Sequence, residues 1–258
     1  AFGGIPLKNG QISQGGVGSH IQKEYLKKAA LNGVKFINVS PLKSDLEEAG
    51  DTEWIPLKPN TDVALMLALC YELYKSGMIN NDFLDRYTVG FKKFFGYLNG
   101  SSDGIIKSAD WASKIIGIDK RVILNLVDKI KNSKRTLISV SWSLTRQSHG
   151  EQPFWAAIAL ASVVGDIGKP GGGIGFGYSA TNSIGNHYKK IPAVSLPQGK
   201  NSVKKFIPVA RITDMLENPG NSFDYNGSRF TYPDIKLIYW AGGNPFHHHQ
   251  DLNRMIKA

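Results

Sequence analysis

Residues 136–146 read Thr136-Leu137-Ile138-Ser139-Val140-Ser141-Trp142-Ser143-Leu144-Thr145-Arg146. The first six are a short, largely apolar run of the kind that forms a strand buried on both faces, as in a parallel sheet. The strand gives out at Trp142-Ser143 into a loop carrying Arg146 and His149, and an apolar helix follows over about 152–164. The same order appears upstream. Residues 34–39 (VKFINV) read as a strand ending at Ser40-Pro41; a loop with Asp51 and Trp54 leads to a helix over about 63–76. Thr61 or Asp62 suits its N-cap, and Gly77 ends it. Downstream, Lys236 to Trp240 (KLIYW) reads as a third strand running into Gly242-Gly243-Asn244-Pro245. Strands alternating with helices predict a doubly wound α/β fold: a mostly parallel sheet with helices on both faces.

Between these units, apolar spacing predicts helices over 20–31, 80–98, 108–131 and 207–216, broken at Asn32-Gly33, Gly100–Gly104 and Gly117. Residues 1–20 and 169–177 are Gly-rich and read as loops, and 178–204 as a linker between units. The expected division is one unit over 1–200 and the start of a second over 201–258. Gly3-Gly4-Ile5-Pro6 and Gly242-Gly243-Asn244-Pro245 share a GGxP pattern, which fits either a repeated turn or coincidence. The opening inside a turn, without Met, and the close just after a helical pattern begins are expected of an internal fragment of a longer protein.

Bulk properties exclude some classes. No apolar run approaches the roughly 18–20 residues that span a bilayer, so no membrane span is expected. The single Cys70 excludes an internal disulfide framework, a CxxC pair and a cysteine-ligated cluster. It lies within MLALCYEL and reads as a buried, inert thiol. The net charge of +10 is spread over short pairs such as Lys27-Lys28, Lys92-Lys93 and Lys189-Lys190. That pattern suits a solvated surface, or positive potential around anionic phosphates, rather than a nucleic-acid stripe.

In open α/β sheets, ligands sit beyond the carboxyl ends of the strands. Four such ends occur: Gly3-Gly4, Ser40-Pro41, Trp142-Ser143 and Gly242-Gly243-Asn244. None is a GxGxxG or a P-loop, and together they suggest a cradle for something longer than a mononucleotide. Arg146 can grip a phosphate bidentately or pair with Glu151. Asp62 can cap its helix or accept from guanine N–H groups or ribose hydroxyls. His247-His248-His249 suggests metal ligation by composition, but adjacent histidines diverge, and hydrogen bonding by one or two of them is the stronger reading. Asp251 suits an N-cap.

Taken together, GVKFINVSP, EWIPLKPNTDVALMLAL, SWSLTRQSHGEQPFWAAIALASVVGDIGKPGGGIGFGY and DIKLIYWAGGNPFHHHQDLNRM resemble the molybdopterin oxidoreductases of the dimethyl sulfoxide reductase family. The likeness is to the trimethylamine-N-oxide and biotin sulfoxide reductase branch, spans nearly the whole chain, and keeps the order of motifs. It implies a Rossmann-like unit and bis-molybdopterin guanine dinucleotide holding molybdenum. It implies oxygen-atom transfer from an S-oxide or N-oxide such as TMAO, DMSO or biotin sulfoxide. Cofactor contacts are implied at Ser19, His20, Ser40, Pro41, Leu42, Thr61, Asp62, Trp142, Ser143, Arg146, Asn244 and His248, with no metal ligand among them. Ser40 stands where members often carry an acidic residue, and Ile5 replaces the usual Asn of the first GGNP. The molybdenum-ligating serine and catalytic aromatics belong upstream of the fragment, so no catalytic residue is named. An electron donor such as a c-type cytochrome, no nucleic acid, and the periplasm (with the cytoplasm as alternative) are further expectations. A non-enzymatic nucleotide- or cofactor-binding α/β module is the competing reading.

Overall fold

The computed structural model describes residues 1–10, 20–177 and 194–258. The chain divides into two compact units, Ala1–Ile191 and Pro192–Ala258.

In the first unit the elements run α1 (Leu7–Gly10), α2 (Gln22–Leu31), β1 (Phe36–Val39), β2 (Thr52–Ile55), α3 (Asp62–Lys75), α4 (Asn81–Tyr87) and α5 (Phe91–Leu98). They continue as α6 (Ala109–Ile116), α7 (Lys120–Asn132), β3 (Leu137–Val140), α8 (Gln152–Val164) and β4 (Gly173–Phe176), with 3-10 turns at Lys43–Ala49 and Trp142–Thr145. β1 pairs with β2 in parallel, Phe36 opposite Thr52, and β3 with β4 in parallel, Leu137 opposite Gly173. Phe2 joins the two pairs, bridging in parallel to Val39 on one side and Val140 on the other. Its N–H donates to the Ser139 carbonyl at 2.7 Å, and its carbonyl accepts from Ser141 N–H at 2.9 Å. The result is a mixed α/β fold of small parallel pairs and many helices.

Helix α3 forms the centre of the core. Leu65, Met66, Ala68, Leu69, Cys70 and Leu73 are all buried, so the helix is apolar around most of its circumference. A helix of that kind needs partners on several sides. It has them in α5, α6, α7 and α8. Burial pushes the Cys70 thiol well above its ordinary range, as suits an inert core residue. Two charged side chains buried in this unit, Glu72 and Lys107, are paired. Glu72 Oε1 accepts from Ala109 N–H at 2.9 Å, satisfying a donor at the start of α6. Lys107, 2% exposed, donates to Asp103 Oδ2 at 2.7 Å and the Ile105 carbonyl at 2.6 Å, over the Tyr97 ring.

Some expectations for this unit need correction. Thr52–Ile55 is a strand rather than part of a loop, because the edge of β1 supplies its hydrogen-bond partner. Gly173–Phe176, expected as loop from its glycines, is likewise a strand on the edge of β3. The helical stretch 80–98 is interrupted at Thr88–Gly90, where Gly90 takes φ +87° and starts α5. Of the expected linker, 178–193 lie outside the described residues; 194–204 carry no helix or strand.

The second unit holds a 3-10 turn at Val209–Arg211, α9 (Ile212–Glu217), β5 (Ser222–Tyr225), β6 (Ser228–Thr231), α10 (Pro245–His248) and α11 (Leu252–Lys257). β5 and β6 are an antiparallel hairpin. Its turn residues Asn226 and Gly227 have φ of +48° and +73°, the left-handed pair that a tight hairpin favours. Phe223 and Tyr232 stack at 4.3 Å over Met215 in a small core. Arg254 ties α11 to α9 through Asp214 and Glu217. Lys236 to Trp240, expected as a strand, pairs with no strand among the described residues, and Leu237 and Tyr239 are exposed. Its composition suits an extended backbone, but a strand exists only where a neighbouring edge accepts its hydrogen bonds.

Candidate functional site

The carboxyl ends of three neighbouring strand segments meet in the first unit. Gly3 and Gly4 lie at the centre, with φ of +76° and +67°. A Cβ on Gly3 would stand 2.8 Å from Ser141 Cβ and 3.0 Å from Ser143 Oγ. A Cβ on Gly4 would stand 2.4 Å from Asp45 Cβ, and Ile5 N–H donates to the Asp45 carbonyl at 2.7 Å. One glycine therefore closes onto the turn after β3 and the next onto the turn after β1.

The turn after β1 is built from inside. Asn38, fully buried in the strand, donates from Nδ2 to the carbonyls of Leu42 at 3.0 Å and Lys43 at 3.1 Å. Its Oδ1 is buried without a hydrogen-bond partner among the described residues. Ser40 is 1% exposed; its Oγ donates to Asp45 Oδ2 at 2.5 Å, and its carbonyl accepts from Trp54 Nε1 at 2.8 Å. Pro41 and Leu42 are exposed at the tip.

At the end of β3, Ser143 Oγ lies 3.1 Å from Ser141 Oγ, and Ser143 itself is exposed. The Trp142 ring stacks on Phe176 of β4 at 5.7 Å, and Phe154 of α8 meets Phe176 edge-on at 5.0 Å. Arg146 is exposed and makes no ion pair among the described residues. Glu151, its alternative partner, lies beside His149 at 3.7 Å instead. His20 is exposed ahead of α2, and Ser19 lies outside the described residues.

Thr61 stands at the N-cap of α3, but its Oγ1 donates backward to the Lys58 carbonyl at 2.6 Å and does not cap the helix. Asp62, the first residue of α3, is 7% exposed, and that desolvation raises its carboxyl from 3.8 to about 6.

In the second unit, Asn244 Oδ1 accepts from Phe246 N–H at 3.1 Å, capping the short α10. The histidine triplet separates by environment. His247 and His248 are exposed, while His249 is buried with Nε2 3.1 Å from Thr213 Oγ1. Among the described residues no three His, Cys, Asp or Glu side chains gather as a metal site. Asp251 caps α11 through Arg254 N–H at 3.2 Å.

Sequence reasoning thus selected both strand-end turns but passed over Asn38, Asp45 and Phe176. An Asn inside the apolar run FINV was a usable signal, since a buried amide needs partners. Asp45 and Phe176 gave none, because their roles arise from residues distant in sequence or placed by a turn. Chemically, the first unit offers exposed hydroxyl, guanidinium and aromatic groups at one set of strand ends. That donor set suits an anionic, ring-bearing ligand.

A model of the molybdopterin oxidoreductase family matches residues 12–258. The chain belongs to that family. It is 48% identical to the biotin sulfoxide reductase of Cereibacter sphaeroides, over 100% of this chain and 34% of that protein. It is 43% identical to the trimethylamine-N-oxide reductase of Haemophilus influenzae, over 91% of this chain and 30% of the relative. With the dimethyl sulfoxide/trimethylamine N-oxide reductase of Rhodobacter capsulatus it shares 40% identity, over 98% and 32%. The chain spans about a third of the length of these relatives. Among solved structures it resembles acetylene hydratase from Pelobacter acetylenicus, with a TM-score of 0.51 and 22% identity over 58% of this chain and 20% of that one. That likeness concerns the fold alone.

Proposed function

We propose that this chain is the cofactor-cradling part of a molybdenum-dependent reductase of S-oxides or N-oxides. The cofactor is bis-molybdopterin guanine dinucleotide, and the substrate class is that of TMAO, DMSO and biotin sulfoxide. The observation that carries the reading is the convergence of Gly3-Gly4, the turn at Ser40–Leu42 and Trp142–Arg146, with the Arg146 guanidinium paired with no carboxylate among the described residues. Three named reductases among the relatives support it.

On this reading residues 1–200 are a Rossmann-like, doubly wound unit, and 201–258 begin a second one. Arg146 and Ser143 hold phosphate oxygens, Trp142 packs against a ring, and the Ser40-Pro41-Leu42 turn borders the nucleotide. Ser19 and His20 add contacts from the loop ahead of α2. Thr61 and Asp62 contact the nucleotide at the start of α3, and Asn244 and His248 are further cofactor contacts. The molybdenum centre, when bound, supplies two-electron exchange of an oxygen atom with the oxide. The chain's residues bind and orient the cofactor and exclude water from it. Two electrons and two protons convert the oxide to its reduced form and water, drawn from a donor such as a c-type cytochrome in the periplasm.

The test is the full-length protein. It is expected to contain molybdenum, to release guanine nucleotide on acid treatment, and to oxidise a reduced viologen when an S-oxide or N-oxide is added. A preparation lacking both metal and nucleotide, when expressed in a host that makes the cofactor, overturns the proposal.

A further inference from the structure

We propose that Asp45 recognises the vicinal hydroxyls of a ribose at this site, as a specificity-determining carboxylate that Ser40 holds beyond the end of β1. The inference rests on the nucleotide-cofactor reading above and names how the sugar is selected.

Ser40 occupies the strand end, but it is buried and its Oγ already donates to Asp45 Oδ2 at 2.5 Å. The hydroxyl therefore faces Asp45 rather than a ligand. Asp45 is only half-buried. Its Oδ1 makes no hydrogen bond among the described residues, and no Lys or Arg pairs with it there, although the chain carries a net charge of +10. The residue is nonetheless fixed on three sides. Ser40 binds its carboxylate, Ile5 N–H binds its carbonyl at 2.7 Å, and Gly4 leaves no room for a Cβ against it. A carboxylate so oriented, with one oxygen uncommitted, is an acceptor for paired O–H donors, and a ribose diol presents that pair.

Electrostatics orders the ligand. A phosphate is repelled by Asp45 and attracted by Arg146, so the sugar lies toward the end of β1 and the phosphates toward the end of β3. The span is short, because Gly4 touches Asp45 while the adjacent Gly3 touches Ser143.

The experiment uses the full-length chain produced without its cofactor, titrated with GDP and with 2′,3′-dideoxy-GDP. Wild type is expected to prefer GDP about tenfold or more, the scale of a hydrogen bond to a charged group. Asp45→Ala and Asp45→Asn are expected to bind the two nucleotides alike, with affinity for the dideoxy form little changed. Ser40→Ala keeps the carboxylate but frees it to rotate, so its preference should fall part-way. Circular dichroism and thermal melts identify the variants that fold, and Asp45→Asn keeps the size of the side chain if Asp45→Ala does not. Undiminished preference in folded Asp45 variants overturns the assignment, as does a wild type that binds both nucleotides equally or neither. These failures stay distinct from failure of the cofactor reading, which shows itself as holoprotein without molybdenum or guanine nucleotide.

Discussion

Gly3 lies so close to Ser141 that a Cβ on the glycine would stand 2.8 Å from the serine Cβ. With φ at +76°, the position also excludes most side chains on backbone grounds. Gly3→Ala is therefore expected to destabilise the full-length protein by more than about 1 kcal/mol. Urea unfolding measures the loss. Molybdenum content should fall in step, since the glycine closes the turn after β3 onto the centre of the site.

Asn38 acts on the neighbouring turn. Its Nδ2 holds the carbonyls of Leu42 and Lys43, and Asn38→Ala leaves both without that donor. A destabilisation of about 1–3 kcal/mol is expected for losing buried hydrogen bonds. Amide hydrogen exchange should rise first at residues 41–45, and an unchanged exchange pattern there would count against this role.

Asp62 gives a pH signature with a defined sign. Its carboxyl is raised from 3.8 to about 6, so between those values the native state binds a proton that the unfolded chain has released. Stability from this group is fully present below 3.8, declines as pH rises, and is lost above about 6. Asp62→Asn should thus make the cofactor-free full-length chain more stable at neutral pH by about 1–3 kcal/mol, with the gain vanishing near pH 4. The same variant should retain less guanine nucleotide in the holoprotein. A gain that is constant across pH would show that the carboxyl does not titrate in this window.

Arg146 makes no ion pair among the described residues that its removal would break, so Arg146→Ala should shift the melting temperature of the cofactor-free chain by little. GDP affinity should drop about tenfold, the scale of a charge-assisted phosphate contact. Arg146→Lys, which keeps the charge but not the planar fork, should recover only part of it. Equal GDP binding in all three proteins would remove Arg146 from the site.

The histidine triplet offers a paired control. His249 is buried against Thr213, so His249→Ala should lower the melting temperature of the full-length protein, at a cost of about 1–3 kcal/mol. His248 is exposed; His248→Ala should leave the melt unchanged and reduce molybdenum content. The reverse pattern in metal analysis would move the cofactor contact from His248 to its neighbour.

Much of this was readable from local chemistry. The apolar runs FINV and LISV, the helix following each, and the glycines and polar residues at the strand ends are consequences of short-range rules. Side-chain size, turn chemistry and hydrophobic spacing act within a few residues, so they placed Ser40-Pro41 and Trp142-Ser143 in strand-end turns without knowledge of neighbours. The tertiary structure decided what depends on partners far along the chain. TEWI and GIGF became strands because β1 and β3 presented edges to them, whereas KLIYW has no such edge among the described residues. Arg146 and Glu151 share a segment yet do not pair, and Ser40 turns its hydroxyl to Asp45 instead of outward. Hydrogen bonds and charges choose partners by distance in space, and packing around α3 and Phe2 sets those distances.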